Sequence, residues 1–329
     1  AMHAYLVAMS VSVFGRTPVA VRLPSAIAGT MTVLGIFLVA CSLCARRIGL
    51  LAALISAFTV WPIMLSRLAT RPALLPLFLT FSLWLGIEGW RRQSKWRWAL
   101  SGLISGAAFY TYTPIRVMVL APLLWAVLLF ARGRGRRLWP GAALFLAALA
   151  LAAAPFANLA LKHSEEVFGR TTGVAVVSPD DSPQQILRTL ADQTATVLPM
   201  LIVPGSGDWN LRHNIPNRAA FDPVIATAFV LGMLVALLGK RRLRLIAMLI
   251  WIAVALLPTI LSEEPPHFGR SSGVLPVLFV LPALGLLWVH AKLRRYAPKF
   301  IAIMISAGVM LASIFVTTRV FYLHNYLVT

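Results

Sequence analysis

Residues 132–160 read RGRGRRLWPGAALFLAALALAAAPFANLA, and this stretch decides the class of fold. Arg132, Arg134, Arg136 and Arg137 are followed by a run from Trp139 to Ala160 that carries no charge. A membrane-spanning helix needs about 20 mostly apolar residues. The run meets that length, leaves its basic flank at one surface and sets Trp139 at the interface, where indoles concentrate. The same pattern recurs along the chain. Hydropathy predicts spans near 22–44, 49–66, 72–89, 98–112, 114–131, 139–160, 223–239, 244–262, 273–290 and 299–321, with a shorter apolar segment at 4–14. Proline disfavours helix at the residue before it. The pair 98–112 and 114–131 therefore reads as a hairpin or as one element broken near Pro114.

Composition agrees. Hydrophobic residues make up 59% of the 329 residues and charged residues 12%, against roughly 45–50% and about 25% in soluble domains. So little charge cannot cover a soluble protein of this size, and so much apolar surface excludes disorder. The reading is an all-α protein, a polytopic transmembrane helical bundle of about ten spans.

The net charge of +20 comes from 30 Lys and Arg against 10 Asp and Glu. In a soluble protein this excess would suggest nucleic acid. Here eighteen of the 30 fall in alternate loops: Arg46 and Arg47; Arg91, Arg92, Lys95 and Arg97; Arg132 to Arg137; Lys240, Arg241, Arg242 and Arg244; Lys292, Arg294, Arg295 and Lys299. Glu88 borders one of these runs, and the other nine acids lie in the intervening loops. The positive-inside rule makes the basic loops cytoplasmic, and no nucleic-acid partner is called for. Trp96 and Trp98 join Trp139 as an aromatic belt beside them. Gly102 and Gly106 have the spacing that lets helices approach closely. Cys41 and Cys44, with no second pair and no nearby His, read as ordinary membrane residues; no metal or cofactor is expected.

The chain divides into three regions: 1–160 as the N-terminal part of the membrane core, 161–222 as a long extracytoplasmic loop, and 223–329 as C-terminal membrane helices. Structureless loops of such length are usually functional. Within this one, Ser182, Pro183 and Gln185 spell a capping box. Ile186, Leu187, Leu190, Val197 and Leu198 mark one face, so 183–200 is predicted to be an amphipathic helix over the outer end of the bundle.

The outer ends of the helices gather arginines. Arg16 and Arg22, Arg67 and Arg71, Arg116 after Tyr110 and Tyr112, and Arg270 after His267 each sit at a span boundary. A lone arginine there can simply snorkel or bond to helix-end carbonyls. As a set they suit a polyanion, because guanidinium matches phosphate oxygens with a planar fork and stays charged. The candidate substrate-binding residues are Arg67, Arg71, Tyr112, Arg116, His267 and Arg270. Glu263 and Glu264 read as solvated loop acids, and Asp208 as a residue that bonds to its own loop backbone.

Several motifs carry a family resemblance. Phe14–Gly29 (FGRTPVAVRLPSAIAG) resembles a signature of the ArnT-like and protein O-mannosyltransferase-like membrane glycosyltransferases, family 39 of the GT-C superfamily. Leu51–Leu54 with Pro62, Ser66 and Arg67 resembles the next stretch of that family. Tyr110–Arg116 (YTYTPIR), Gly207–Pro216 (GDWNLRHNIP) with Asp222-Pro223, and Pro266–Arg270 (PHFGR) with Gly273 and Pro276 resemble later segments in the same order. The resemblance implies a GT-C-type core in a bacterial plasma membrane. It implies transfer of a sugar from a polyprenyl-phosphate-linked donor to a lipid, glycan or protein acceptor on the extracytoplasmic side. It also implies a catalytic Asp in the first extracytoplasmic loop. Residues 4–14 match the segment on the C-terminal side of that loop, so the expected Asp lies upstream of Ala1, and no residue here inherits its role. Two other classes stay open: a lipid or solute transporter, and a non-catalytic membrane protein that binds polyprenyl phosphate. Related halves with interrupted helices meeting at the midplane would mark a transporter, and no such symmetry is visible.

Overall fold

A computed structural model describes the backbone of all residues except 1, 173–175, 178–180, 240–241 and 328–329. Lys240 and Arg241 of one basic run, and Asp180, therefore lie outside the described residues. The described chain is helical, with no strand: α1 Met2–Phe14, α2 Pro18–Leu43, α3 Arg46–Phe58, α4 Val60–Arg67, α5 Leu74–Arg92, α6 Lys95–Ala107, α7 Ile115–Met118, α8 Leu120–Ala131, α9 Gly135–Lys162, α10 Ser164–Thr172, α11 Pro183–Val197, α12 Pro223–Leu238, α13 Arg242–Ile260, α14 Leu275–Leu278, α15 Val280–Tyr296 and α16 Lys299–Leu327.

Six helical stretches among the described residues are long and apolar enough to cross a membrane: Pro18–Leu43, Arg71–Arg92, Gly135–Lys162, Arg242–Ile260, Ser272–Tyr296 and Lys299–Val320. The pair α3–α4, bent by 61°, would make a seventh. The remaining expected spans are shorter helices: α6, α7–α8 and α12. The protein is a multi-pass membrane bundle, and the count of ten is not reached by length alone.

The expected span at 49–66 breaks at Thr59, whose backbone is extended. Pro62 has no N–H for the Phe58 carbonyl, and its ring crowds that turn. Restarting the helix at Val60 puts Pro62 in a first turn, where the missing N–H costs nothing. The YTYTPIR stretch also interrupts the helix, with turns between Ala107 and Ile115.

Contacts at both ends fix the register of the bundle. At the basic end, Ser42 Oγ donates to Glu88 Oε1 at 2.8 Å, and Arg91 and Arg92 close on the same carboxylate at 2.9 and 2.7 Å. At the other end Trp61 of α4 stacks on Phe268, ring centroids 4.4 Å apart. Tyr110 Oη donates to the Ala152 carbonyl at 3.0 Å, joining the YTYTPIR turn to α9. Asp222 caps α12 by accepting from Val224 and Ile225 N–H, and its second oxygen accepts from Ser313 Oγ of α16 at 2.7 Å.

Two close helix crossings depend on glycine. A Cβ at Gly102 would collide with the Phe145 carbonyl of α9, and one at Gly106 would meet Ala152 Cβ at 2.6 Å. The spacing noted in the sequence is thus a packing device. Gly232 of α12 and Gly285 of α15 stand face to face in the same way, each against a carbonyl of the other helix.

α11 forms as predicted, and both halves of its capping box are present. The helix packs against α13. Its inward face is narrower than expected. Ile186, Leu190 and Val197 turn inward, whereas Leu187 is 71% exposed and Leu198 54%. The 3.6-residue period explains this, since neighbours in sequence are swung about 100° apart around the axis.

Candidate functional site

The site is built where the long loop meets the turn after α13. Loop residues 198–222 are laced to themselves. Ala220 and Phe221 N–H donate to Met200 and Leu201 carbonyls, and Asn214 Nδ2 donates to the Arg218 and Asp208 carbonyls. Within this frame Asp208 is almost fully buried. Its Oδ1 accepts from Asn210 N–H at 2.8 Å, the two-residue turn that Asp favours. Its Oδ2 accepts from Phe268 N–H at 2.7 Å, 60 residues on. One carboxylate thus holds the long loop against the PHFGR turn.

That staple positions His267 and Arg270. The His267 N–H donates to Thr259 Oγ1 of α13 at 2.9 Å. Nδ1 of His267 accepts from Arg270 N–H in a long bond of 3.4 Å, which puts the ring proton on Nε2. Nδ1 also lies 3.9 Å from Asp208 Oδ2. The two are not an ion pair, because His267 is held neutral. Burial, then His213 and Arg270, push its pKa down to about 3. His213 lies alongside, ring centroids 4.9 Å apart, and burial followed by Arg212 and Arg270 brings it to about 4. Burial raises the carboxyl of Asp208, against two backbone hydrogen bonds and Arg270, which lower it. Nδ1 of His213 is buried and has no hydrogen-bond partner among the described residues. Arg270 Nη1 donates to the Glu263 carbonyl at 3.0 Å. The corner therefore combines a guanidinium with two neutral imidazoles at the membrane boundary, a donor set suited to an oxyanion.

His267 and Arg270 are brought together. Arg67 closes α4, the helix whose Trp61 stacks on Phe268. Arg71 opens the short turn before α5. Its charge reaches His3 of α1, whose ionisation is depressed first by burial and further by nearby positive charge. His3 in turn bonds to Ser25 Oγ at 2.9 Å. Tyr112 packs against the buried core. Arg116 is drawn toward α9 and α10: it donates to the Val167 carbonyl at 3.1 Å and lies over the rings of Phe156 and Phe168. Sequence reasoning missed His213 as a partner of His267, and Thr259 as the anchor of the turn. The HN of GDWNLRHNIP was visible, but nothing in the sequence says which distant turn that loop faces.

The chain shares its fold with membrane glycosyltransferases of the GT-C type. One is the Archaeoglobus fulgidus oligosaccharyltransferase, solved with a tethered acceptor peptide (TM-score 0.63, 14% identity, 96% of this chain and 46% of that one). Another is ArnT from Cupriavidus metallidurans, solved with undecaprenyl phosphate (TM-score 0.60, 15% identity, 93% of this chain and 52% of that one). The chain thus spans about half the length of each. No curated protein matches it by sequence. Residues 1–160 match the family described as dolichyl-phosphate-mannose-protein mannosyltransferase. The family match thus covers the N-terminal part of the chain, and the fold over nearly its whole length is the one seen in these two enzymes.

Proposed function

We propose that the chain is the core of an enzyme that moves a sugar from a polyprenyl-phosphate-linked donor to a lipid, glycan or protein acceptor at the extracytoplasmic face of a bacterial plasma membrane. The carrying observation is the corner of Arg270 and neutral His267, with the His213 ring alongside, at the end of the bundle opposite the basic loops. A sugar leaving a lipid phosphate leaves negative charge on that phosphate, and fixed donors aimed at it lower the barrier. Neutral imidazoles donate without adding to the repulsion around Arg270. Arg67, Arg71, Tyr112 and Arg116 are proposed to complete the donor site. The undecaprenyl phosphate bound by ArnT supports a lipid-phosphate ligand. No residue of 1–329 is proposed as the base that activates the acceptor.

The test uses the full-length protein in lipid nanodiscs. With a radiolabelled undecaprenyl-phosphate sugar and a cell-envelope extract, label should pass to an acceptor and free undecaprenyl phosphate should appear. Arg270→Lys keeps the charge but loses the fork, and should weaken undecaprenyl phosphate binding about tenfold, roughly the value of one charge-assisted bond. Normal binding by Arg270→Ala would remove the assignment. Intact donor crossing the bilayer without sugar transfer would favour a transporter.

A further inference from the structure

We propose that the apolar cavity between α5, α6, α8, α9 and α13 makes this protein select its carrier lipid by tail length, enclosing the tail from the outer turn to Trp98, beyond the bilayer midplane. The inference rests on the donor reading above and on the topology read from the charge pattern. The cavity has a volume of about 340 Å³ and an almost wholly apolar wall. Its outer end is built on the turn that carries Arg270. Leu79, Met118 and Trp251 line the cavity, and all three meet Gly273. The Trp251 indole donates to the Gly273 carbonyl at 2.8 Å, and a Cβ at Gly273 would lie 3.1 Å from Met118 Sδ and 3.5 Å from Leu79 Cδ1. Gly273 lies three residues beyond Arg270, at most about 11 Å of extended chain. A phosphate held at Arg270 therefore has the start of its tail beside the cavity. Leu123 of α8 and Leu146 of α9 also line it and are 54% and 49% exposed, so the tail enters sideways from lipid.

Depth selects the class of tail. α7 and α8 form one nearly continuous apolar helix from Ile115 to Ala131. On it the lining runs from Ile115 to Leu129, about 21 Å at 1.5 Å per residue. The hydrocarbon layer is about 30 Å thick, so the cavity passes the midplane. An acyl chain of an ordinary phospholipid, anchored at the outer boundary, ends near the midplane, because each leaflet supplies half of that layer. A polyprenyl tail is not bound to one leaflet. The inner end of the cavity is closed by Trp90 and Trp98, beside the basic run from Arg91 to Arg97. Trp98 is fixed there. A Cβ at Gly89 would lie 3.2 Å from its ring, one at Gly141 would collide with its indole, and Phe145 meets it edge-on at 6.5 Å. Between its ends the wall suits hydrocarbon. The lining includes no charged side chain, Ser82 bonds to both Ser101 and Ser105, and Trp125 donates to the Ala247 carbonyl. The phosphate stays outside and the tail goes in.

Binding of undecaprenyl phosphate, geranyl phosphate and phosphatidic acid to the full-length protein in nanodiscs tests this. The three share a phosphate monoester head, and the geranyl tail ends well short of Trp98. Undecaprenyl phosphate should bind tightest. Ala142→Phe on α9 and Ala126→Phe on α8 each fill the inner part of the cavity from a different wall. Each should lower the undecaprenyl-to-geranyl affinity ratio about tenfold, the effect of about ten lost atom contacts, with geranyl phosphate bound as before. The ratio cancels partitioning into the nanodisc. A variant that misfolds loses both ligands together, and the other then decides. An unchanged ratio in a folded wall variant, or phosphatidic acid bound as tightly as undecaprenyl phosphate, overturns the proposal. Arg270→Ala should weaken both isoprenoid phosphates alike and leave their ratio unchanged. If Arg270→Ala binds both normally while the wall variants still lower the ratio, the head assignment fails and the cavity assignment stands.

Discussion

His213 and His267 carry the most specific electrostatic statement at the scale of single residues. Unfolded, each imidazole takes up a proton near 6.5; folded, only near about 4 and about 3. Between those values the unfolded chain binds more protons, so stability rises with pH and falls on acidification. Moving from pH 7 to pH 5 should cost up to about 2 kcal/mol per histidine. Asp208 works in the opposite sense. Its raised carboxyl keeps a proton to higher pH in the fold, which offsets part of the loss. Protection of the 198–222 loop, referenced to the intrinsic exchange rate at each pH, should therefore fall between pH 7 and 5, and His213→Asn should flatten the response. Protection that rises on acidification would mean Asp208 dominates. The Asp208 turn onto Asn210 was legible, because it is a two-residue local preference. The bond to Phe268 was not, because a contact spanning 60 residues leaves no periodic trace in the chain.

Among elements, the α6–α9 and α12–α15 crossings show where membrane helices draw their affinity. Lipid tails are as apolar as leucine, so close packing rather than burial drives association. Gly102→Val should force α6 away from the Phe145 carbonyl and lose about 1–3 kcal/mol, the usual effect of overpacking. Gly308→Ala on α16, where a Cβ meets nothing within 4 Å, should be neutral or slightly stabilising. Thermal unfolding in one detergent compares the two; equal losses would mean that α6 and α9 do not need their close approach. The Gly102–Gly106 spacing was readable because both glycines lie on one helix. The Gly232–Gly285 pair was hidden, since each is a single glycine whose meaning comes from its partner. The α11 helix was visible from Ser182 and Gln185, which act through local bonds. Its buried stripe came out narrower, because Leu187 is hydrophobic without facing the core. Ser182→Ala should cost the helix about 1 kcal/mol, read as a local loss of exchange protection in 183–197.

For the whole molecule, one orientation makes the outer corner chemically coherent. Positive-inside counting puts the turns at Arg46, Gln93 and Arg132 on the cytoplasmic side. The helices run alternately from there, so Trp61, Phe268, Asp208 and α11 gather at the opposite end. Hydropathy located the spans but not the break at Thr59, because averaging over a window smooths a one-residue interruption, whereas the break near Pro114 was legible from the proline itself. Those breaks shape the outer corner: the first aims Trp61 at Phe268, and the second turns Arg116 toward α10. Orientation is testable in otherwise cysteine-free full-length protein. Gln184→Cys, exposed on α11, should react with a membrane-impermeant maleimide on intact cells. Gln93→Cys, exposed between α5 and α6, should react only after permeabilisation. The inverse result would set the Arg270 corner in the cytoplasm. It would also place the basic loops against the direction in which charge bias orients membrane helices, so one labelling pair decides the side on which the Arg270 corner works.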